Sequence, residues 1–263
     1  MKTVLITGAA RGIGLATAAA CARAGADVMG VDLHAEDLDA AEQAVRAHNR
    51  RFFRFACDIA DPAQGRALID TAAATEGGFD VLVNNAGVAP SGSFVEGDFT
   101  VWQRTLAVNL EGLMGLCHAA LPHLLRREAG RVVNIASIAG MMGASGLAAY
   151  CASKHGVVGL SKALQFELEG TSVGVSYICP TMVRTRMTTG VGRSPLVPLI
   201  APEQVAEAVV RAITEGRPVV YVPGRMRWLV SVLPNLWPAF WRWLVRRDVA
   251  VHSWRDARKE LPA

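Results

Sequence analysis

A tyrosine and a lysine four residues apart, Tyr150 and Lys154, could together carry out proton transfer. Residues at this spacing lie on the same face of a helix, so the phenol and the ammonium would be neighbours. A free phenol has a pKa of about 10 and is a poor base at neutral pH, but a nearby ammonium favours the phenolate. The spacing therefore predicts that Tyr150 can exchange a proton with the oxygen atom of a bound molecule.

A glycine-rich segment at residues 7–14, with the sequence TGAARGIG, follows an apolar run and precedes an alanine-rich stretch. A strand that leads into a glycine turn at the start of a helix forms an anion site, because free N–H groups and the helix dipole favour a pyrophosphate. Gly8 suits the tight turn, Gly12 the close approach of a phosphate, and Gly14 the packing of helix on strand. The glycine pattern alone is equally typical of an ordinary strand-to-helix turn.

Two side chains of opposite charge bear on the choice of dinucleotide. Asp32 ends the second apolar run, where a carboxylate can accept hydrogen bonds from the adenosine ribose and repels a 2′-phosphate. Arg11 favours NADP instead, because a cation in the glycine loop could bind that phosphate. We give Asp32 more weight and predict NAD, with NADP less favoured. Asp58 is expected either to bind the adenine amine or to cap the helix that begins after Pro62.

These side chains lie beside short apolar runs that alternate with helical stretches such as 13–24 and 38–48. The runs are continuous rather than alternating, which is typical of strands buried on both faces. They cover residues 4–7, 28–32, 52–57, 81–84, 131–136, 173–179 and 219–222. The pattern predicts an α/β fold over residues 1–222, with a Rossmann-like, doubly wound, seven-stranded parallel sheet flanked by helices. Residues 223–263 are predicted to form a helical appendage rich in tryptophan and arginine.

Further motifs follow in a fixed order along the chain. Asn-Asn-Ala-Gly occupies residues 84–87, Asn109 lies in Val-Asn-Leu-Glu-Gly, and Ser137 follows the fifth run. With the glycine loop and the Tyr-x-x-x-Lys pair, the chain resembles the short-chain dehydrogenase/reductase family in its compact form, from residue 2 to about residue 222. The resemblance implies an oxidoreductase that interconverts an alcohol and a carbonyl compound by hydride transfer to or from a dinucleotide.

The resemblance also implies roles for individual residues. Tyr150 would be the acid/base, Ser137 would donate a hydrogen bond to the same substrate oxygen, and Lys154 would also bind the nicotinamide ribose. In the family, the residue that matches Asn109 holds a water molecule that links the lysine to solvent. Together with the glycine loop, the expected dinucleotide contacts are Gly8, Arg11, Gly12, Ile13, Gly14, Asp32, Leu33, Asp58, Ile59, Asn85, Ala86, Gly87, Tyr150, Lys154, Pro180, Thr181, Val183 and Thr185. No metal site is predicted.

The sequence departs from the family pattern after the sixth run. Pro180 is followed by Thr181, where the family usually has glycine. The additional Cβ and hydroxyl would stand beside the expected nicotinamide face, so we expect a reshaped loop and a narrower pocket floor. Thr185 still matches the threonine that binds the carboxamide of the dinucleotide in the family.

The residues expected around the substrate are apolar, and four of them are methionines, which adapt to irregular apolar surfaces. They are Ala139, Met141, Met142, Leu147, Met182 and Met187. Arg184 and Arg186 could approach from the neighbouring loop. We therefore expect a hydrophobic secondary alcohol or its ketone, such as a steroid, a terpenoid or a lipid derivative.

The appendage holds five of the six tryptophans together with arginines. Its longest uncharged run, residues 228–241, spans 14 residues and contains two prolines, so it is too short and too broken for a membrane-spanning helix. Tryptophan and arginine suit the surface of a membrane, which a segment over 225–247 could contact. The alternative, which we favour from the sequence, is a lid over the substrate pocket or a contact between subunits.

Composition excludes some classes of partner. The chain has 263 residues and a net charge of +4. Eight basic and three acidic residues from Gly224 onward give this tail +5 and leave −1 for the rest, which argues against a nucleic-acid-binding body. Five scattered cysteines and the lack of a signal-peptide pattern predict a cytoplasmic protein with reduced thiols, which could be peripheral to a membrane.

The resemblance implies a homodimer or homotetramer formed through the helices that contain Asn109 and Tyr150. Three alternatives stay open. The first is an NADPH-dependent ketone reductase that uses Arg11. The second is a non-catalytic, dinucleotide-binding regulator, against which the intact Ser137, Tyr150 and Lys154 argue. The third is a peripheral membrane protein whose body serves as a scaffold.

Overall fold

Residues 2–192, 196–248 and 252–254 of the chain are described by a computed structural model. The strands are, in chain order, β1 (Thr3–Thr7), β2 (Asp27–Asp32), β3 (Phe52–Ala56), β4 (Val81–Asn84), β5 (Gly130–Ile135), β6 (Val173–Pro180), β7 (Met182–Val183), β8 (Leu199–Ile200) and β9 (Val219–Val222). The helices are α1 (Gly12–Arg23), α2 (Asp39–Arg46), α3 (Pro62–Ala74), α4 (Phe99–Leu106), α5 (Leu113–Leu124), α6 (Ala148–Glu167), α7 (Pro202–Glu215), α8 (Leu233–Leu236) and α9 (Pro238–Arg246). Single helical turns of the 3-10 and π types connect several of these elements.

The predicted seven-stranded parallel sheet is confirmed, with the strand order β3-β2-β1-β4-β5-β6-β9. Each strand agrees with its apolar run to within one residue at either end. Val4, Leu5 and Ile6 of β1 are fully buried, as expected for a strand covered on both faces. The short strands β7 and β8 pair separately, beside the carboxyl end of β6.

Helices cover both faces of the sheet and give it two apolar cores. Val4 and Ile6 point to one face and pack in a cluster with α1, α2 and α7. Leu5 points to the other face and packs in a cluster with α3, α5 and α6. This division follows from the alternation of side chains along a strand.

The order of the strands reverses its direction at β1, which lies between β2 and β4. Val4 is in register with Val28 on one side and with Val81 on the other. In an open α/β sheet, a crevice forms at the carboxyl ends of the strands at such a reversal. The glycine loop after β1 and residues 85–87 after β4 meet there.

The predicted appendage is helical where it is described, but residues 249–251 and 255–263 of it lie outside the described residues, as do Met1 and 193–195. Met226, Val230 and Trp254 are buried in one apolar cluster with Leu147 and Met182 of the main body. The division into segments 1–222 and 223–263 therefore stays a prediction. Among the described residues, no helix combines the length and the hydropathy needed to cross a membrane.

Candidate active site

A large cavity lies at the carboxyl ends of the parallel strands. Its volume of about 1530 Å³ exceeds the range of about 300–1,000 Å³ that is typical of pockets for one small ligand. Its wall includes Asp32 at the end of β2, Ser137 after β5, and Trp254 from the C-terminal segment. The cavity has room for a dinucleotide and a second small molecule.

The glycine turn adopts a backbone that other residues strain to reach. Gly8 and Gly12 have positive φ angles of 65° and 56°. A Cβ on Gly14 would overlap the carbonyl oxygen of Gly8, so this position requires glycine for the close packing of α1 on the turn. Gly8 and Gly12 line the cavity, whereas Gly14 lies behind its wall. A Cβ on Gly12 would stand 3.1 Å from the methyl group of Thr185, which therefore lies close to the turn.

Asn85 ties the loop after β4 to the glycine turn. Its side-chain Nδ2 donates hydrogen bonds to the carbonyl oxygens of Thr7 and Gly8 at 2.9 and 3.0 Å. The hydroxyl of Thr7 in turn accepts hydrogen bonds from the backbone N–H groups of Asn85 and Ala86 at 3.0 and 3.1 Å. The predicted dinucleotide contact at Asn85 thus belongs to a side chain that also fixes the shape of the turn.

Asp32 and Arg11, the two side chains of opposite charge, both line the cavity near the glycine turn. The Asp32 carboxylate accepts hydrogen bonds from the N–H of Ala10 at 2.9 Å and from that of Leu33 at 2.9 Å. These bonds fix the carboxylate against the loop, whereas the Arg11 side chain is exposed. The fixed negative charge therefore lies on the cavity wall.

Asp58 forms an ion pair with a residue that the sequence analysis did not single out. Its Oδ2 lies 2.7 Å from Nη2 of Arg104, and both residues line the cavity. The alternative role of Asp58 as the cap of α3 is wrong, because Asp61 accepts the hydrogen bonds from the N–H groups of Ala63 and Gln64 at the start of that helix. Arg104 lies 46 residues along the chain from Asp58, and no local pattern points to their pairing.

Ser137, Tyr150 and Lys154 lie together on the cavity wall. Ser137 follows β5, its hydroxyl accepts a hydrogen bond from the N–H of Ala139 at 3.1 Å, and its interaction with the Tyr150 phenol favours the phenolate. Tyr150 and Lys154 occupy successive turns at the start of α6, with the lysine Nζ 5.7 Å from the centre of the phenol ring. The Lys154 Nζ donates a hydrogen bond to the carbonyl oxygen of Ile135 at 2.8 Å.

Burial dominates the titration of the tyrosine and the lysine. It raises the pKa of Tyr150 to about 12, although the hydrogen bond with Ser137 acts in the opposite direction. Burial also lowers the pKa of Lys154 to about 8. The expectation that the ammonium lowers the phenol pKa is therefore outweighed here, because the loss of hydration disfavours the phenolate more strongly.

Asn109 lies in a π-helical turn, Ala107–Gly112, between α4 and α5. Its side-chain Oδ1 accepts a hydrogen bond from the N–H of Val88, and its Nδ2 donates one to the Val88 carbonyl, each at 2.8 Å. The same Nδ2 lies 3.2 Å from the hydroxyl of Ser153 on α6. Asn109 is fully buried behind the cavity wall and connects the loop after β4 with the helix that carries Tyr150.

The far end of the cavity is apolar. Five of the six residues expected around the substrate line it, namely Ala139, Met142, Leu147, Met182 and Met187. Met141 lies outside the lining and packs against two apolar clusters instead. Val197 and Trp254 complete this end, although no sequence motif points to either of them.

Thr181 lines the cavity at the place where the family usually has glycine. Its hydroxyl donates a hydrogen bond to the carbonyl oxygen of Pro198. The strand pair β7–β8 joins the same two segments, with Met182 opposite Leu199. Thr181 therefore fixes the segment before β8, and the Arg184 and Arg186 side chains line the cavity nearby.

Comparison with known proteins gives a consistent result. Residues 2–195 match the model of a protein family described as short chain dehydrogenase. The chain is 43% identical over 186 residues to D-threitol dehydrogenase from Mycolicibacterium smegmatis, which covers 71% of this chain and 72% of the relative.

Two solved structures resemble this chain over most of their lengths. One is carveol dehydrogenase from Mycobacterium avium in complex with NAD, which is 26% identical, with a TM-score of 0.76 and coverage of 84% of this chain and 95% of that one. The other is a metagenomic short-chain oxidoreductase in complex with NADP, which is 31% identical, with a TM-score of 0.73 and coverage of 84% and 96%.

Proposed function

The chain belongs to the short-chain dehydrogenase family, and on that premise we propose that it interconverts a hydrophobic secondary alcohol and its ketone with NAD. Its relatives are oxidoreductases that act on alcohols and ketones, and this chain shares that general activity. The observation that carries the proposal is the grouping of Ser137, Tyr150 and Lys154 on one wall of a cavity that also includes the glycine turn. That cavity brings a site for proton transfer and a site for phosphate binding together.

The residues around the glycine turn fit a dinucleotide. Gly8 and Gly12 line the cavity with their backbone, and α1 begins at the turn without a side-chain cap, so its first N–H groups can bind a pyrophosphate. Asp32 would accept hydrogen bonds from the adenosine ribose, and Lys154 would bind the nicotinamide ribose. When bound, the dinucleotide supplies or accepts the hydride. The remaining predicted contacts, except Gly14, line the same cavity.

Tyr150 transfers the proton that accompanies the reaction. Its phenol is protonated at neutral pH, because its pKa is about 12, so it donates a proton to the substrate oxygen during reduction. During oxidation the phenolate accepts the proton of the alcohol, and the ammonium of Lys154 favours that phenolate. Ser137 donates a hydrogen bond to the substrate oxygen and holds it near the phenol.

NAD is favoured over NADP because of the position of Asp32. A carboxylate that is fixed to the loop by two N–H groups cannot move away from a 2′-phosphate without losing those bonds. Arg11 supports the second candidate, an NADPH-dependent ketone reductase, since it lines the same part of the cavity. The two similar solved structures include one with NAD and one with NADP.

The substrate is proposed to be apolar because the far end of the cavity is lined by methionine, leucine and tryptophan side chains. Residues 1–222 would form the catalytic domain, and Trp254 of the segment 223–263 would close this end. The similarity to carveol dehydrogenase agrees with a cyclic, apolar alcohol. The similarity to D-threitol dehydrogenase favours a small polyol instead, so substrate assays must include both kinds of alcohol.

A homodimer or homotetramer is proposed through α5 and α6. Met114 on α5 and Phe166 on α6 are exposed by 48% and 79% in the single chain. The outer face of α6 also carries small residues such as Ala152 and Gly159, which allow a second helix to approach closely. Two copies could therefore pack these helices against each other.

An activity assay tests the proposal. The purified chain is given apolar cyclic alcohols, cyclic ketones and linear polyols, each with NAD or NADP in the matching redox state. Turnover of an apolar cyclic alcohol with NAD, at a kcat/KM at least about tenfold above that for polyols, is expected. Faster turnover of polyols would overturn the substrate class, and no turnover at all together with dinucleotide binding would favour the regulator.

A further inference from the structure

The C-terminal segment presents aromatic and apolar side chains to the outside. Trp228, Leu236, Trp237, Phe240 and Trp243 are between 49% and 69% exposed, and we call these five residues the outer aromatic face. Large aromatic side chains normally bury most of their surface. Their concentration on one short segment indicates a surface that binds something.

The segment itself is anchored to the body, so its exposed side is not a consequence of poor packing. Met226 and Val230 are buried in the cluster that also contains Leu147 and Met182. The Tyr221 phenol lies 2.8 Å from the hydroxyl of Ser231, which connects β9 with the first turn of the segment. One side therefore faces the far end of the cavity, and the other side carries the outer aromatic face.

Arginines accompany the exposed aromatics on α9. Phe240 and Trp243 are three residues apart and stack with ring centres 5.8 Å apart, and the guanidinium of Arg247 lies 4.3 Å from the centre of the Trp243 ring. A shallow groove of about 310 Å³ beside them is lined by Ala239, Arg242, Trp243, Arg246 and Arg247. Three guanidinium groups around one groove suit a phosphate group.

The charged residues of the C-terminal segment 223–247 are all positive. Residues 223–247 contain five arginines and no aspartate or glutamate, whereas the chain before Gly224 has a net charge of −1. A two-fold contact between copies would gather the arginines of both copies in one interface, and residues 223–247 offer no carboxylate to pair with them, so self-association through this face is disfavoured. A surface that offers both phosphate groups and an apolar layer matches the face better.

We propose that the outer aromatic face binds the surface of a lipid bilayer that contains anionic lipids. The tryptophans and Phe240 lie at the boundary between headgroups and acyl chains, where large amphipathic rings are favoured. Arg242, Arg246 and Arg247 bind lipid phosphates. The segment lies on the membrane and does not cross it.

Docking in this way would also affect how the substrate enters the cavity. This inference rests on the proposed function. The inner side of the segment contributes Met226 and Val230 to the cluster around the far end of the cavity, and Trp254 lines the cavity itself. A bilayer bound to the outer side would therefore lie close to the end that receives the alcohol. An apolar substrate could then enter from the membrane without crossing water.

Vesicle flotation of the intact 263-residue chain tests the docking without any catalytic readout. Vesicles of phosphatidylcholine alone are compared with vesicles that also contain phosphatidylglycerol, at low and at high salt. We expect the protein to float with the anionic vesicles at low salt, with a blue shift of its tryptophan fluorescence, and to dissociate at high salt. Equal binding to both kinds of vesicle, or to neither, would overturn the proposal.

Variants of the C-terminal segment, compared with matched control variants elsewhere on the chain, show whether the outer aromatic face makes the contact with the vesicle. Phe240→Ser and the double variant Arg242→Gln/Arg246→Gln should each weaken binding to anionic vesicles by at least about tenfold. Phe99→Ser and the double variant Arg66→Gln/Arg211→Gln make the same changes at exposed positions on α4, α3 and α7, and they should bind as the wild type does.

Dinucleotide binding and circular dichroism show that each variant is folded. An inactive protein that floats would contradict the proposed function and support the docking. A concentration-dependent dimer that Phe240→Ser abolishes, without any flotation, would instead assign the face to a second copy of the chain.

Discussion

The side-chain amide of Asn109 pairs with both polar backbone groups of Val88, at 2.8 Å in each direction. The pair joins the π-helical turn before α5 to the loop after β4, which forms part of the cavity wall. Because the same amide also contacts Ser153 on α6, the loop and the helix that carries Tyr150 share one buried support. Asn109 therefore positions the site without lining it.

Asn109→Ala should lower the free energy of unfolding by about 1–3 kcal/mol, because it leaves both partly buried Val88 groups without their partner. Urea denaturation measures the change. Asn235→Ala removes an amide whose Nδ2 donates to the Ser231 carbonyl at an exposed position, and it should cost less than about 0.5 kcal/mol. Equal losses in the two variants would show that the Val88 pairing contributes little.

Gly14→Ala should abolish dinucleotide binding, because the new Cβ would overlap the Gly8 carbonyl and displace the glycine turn. Fluorescence titration with NADH measures the binding. Gly65→Ala is the matched control in α3, where the added Cβ would meet the Leu116 side chain at an ordinary contact distance of 3.5 Å. This control should bind NADH normally and gain up to about 1 kcal/mol of stability from the better helix former. Normal binding by Gly14→Ala would disprove the assigned shape of the turn.

Alcohol oxidation should become faster with rising pH, since the partly buried Tyr150 has a pKa of about 12 and only its phenolate accepts a proton. The rate should rise by up to about tenfold per pH unit between about pH 7 and 10, while ketone reduction should show no such rise. Lys154→Met removes the ammonium that favours the phenolate, so the oxidation rate should fall most below about pH 8, where Lys154, with a pKa of about 8, is still charged. An oxidation rate that falls over this range would exclude the phenolate as the base.

Asp32→Asn should strengthen the binding of NADPH by at least about tenfold, or about 1.4 kcal/mol, because the substitution removes the charge that repels a 2′-phosphate. The Asn side chain keeps an oxygen that can accept from one of the two N–H groups. Asp37→Asn removes the same charge from an exposed residue outside the cavity lining and should leave both affinities unchanged. If the wild type bound NADPH more tightly than NADH, Arg11 and not Asp32 would determine the cofactor preference.

The sheet could be predicted because strands buried on both faces leave continuous apolar runs in the sequence, and each run matched its strand to within one residue. The glycine turn and the proximity of Tyr150 and Lys154 could equally be predicted from the sequence, since both depend on the spacing of residues along a short segment. The pairing of Asp58 with Arg104 was not, because two distant segments meet only in the folded chain.

The direction of side chains in loops and the extent of their burial also could not be predicted from the sequence. Met141 and Met142 are adjacent in sequence, yet only Met142 lines the cavity. Spacing could not show which of the two faces inward, because the loop between β5 and α6 has no regular period. The pKa of Tyr150 was expected to be lowered by Lys154, but the extent of burial is a property of the whole fold and acts more strongly.

The role of Tyr150 is tested most directly by the turnover of Tyr150→Phe, measured together with NADH binding. Tyr177→Phe removes a hydroxyl from a buried tyrosine of the core outside the cavity lining and serves as the control. We predict that Tyr150→Phe lowers kcat by at least about 10²-fold with unchanged NADH affinity, whereas Tyr177→Phe retains turnover. Unchanged turnover in Tyr150→Phe would contradict the assignment of this tyrosine as the proton-transferring group.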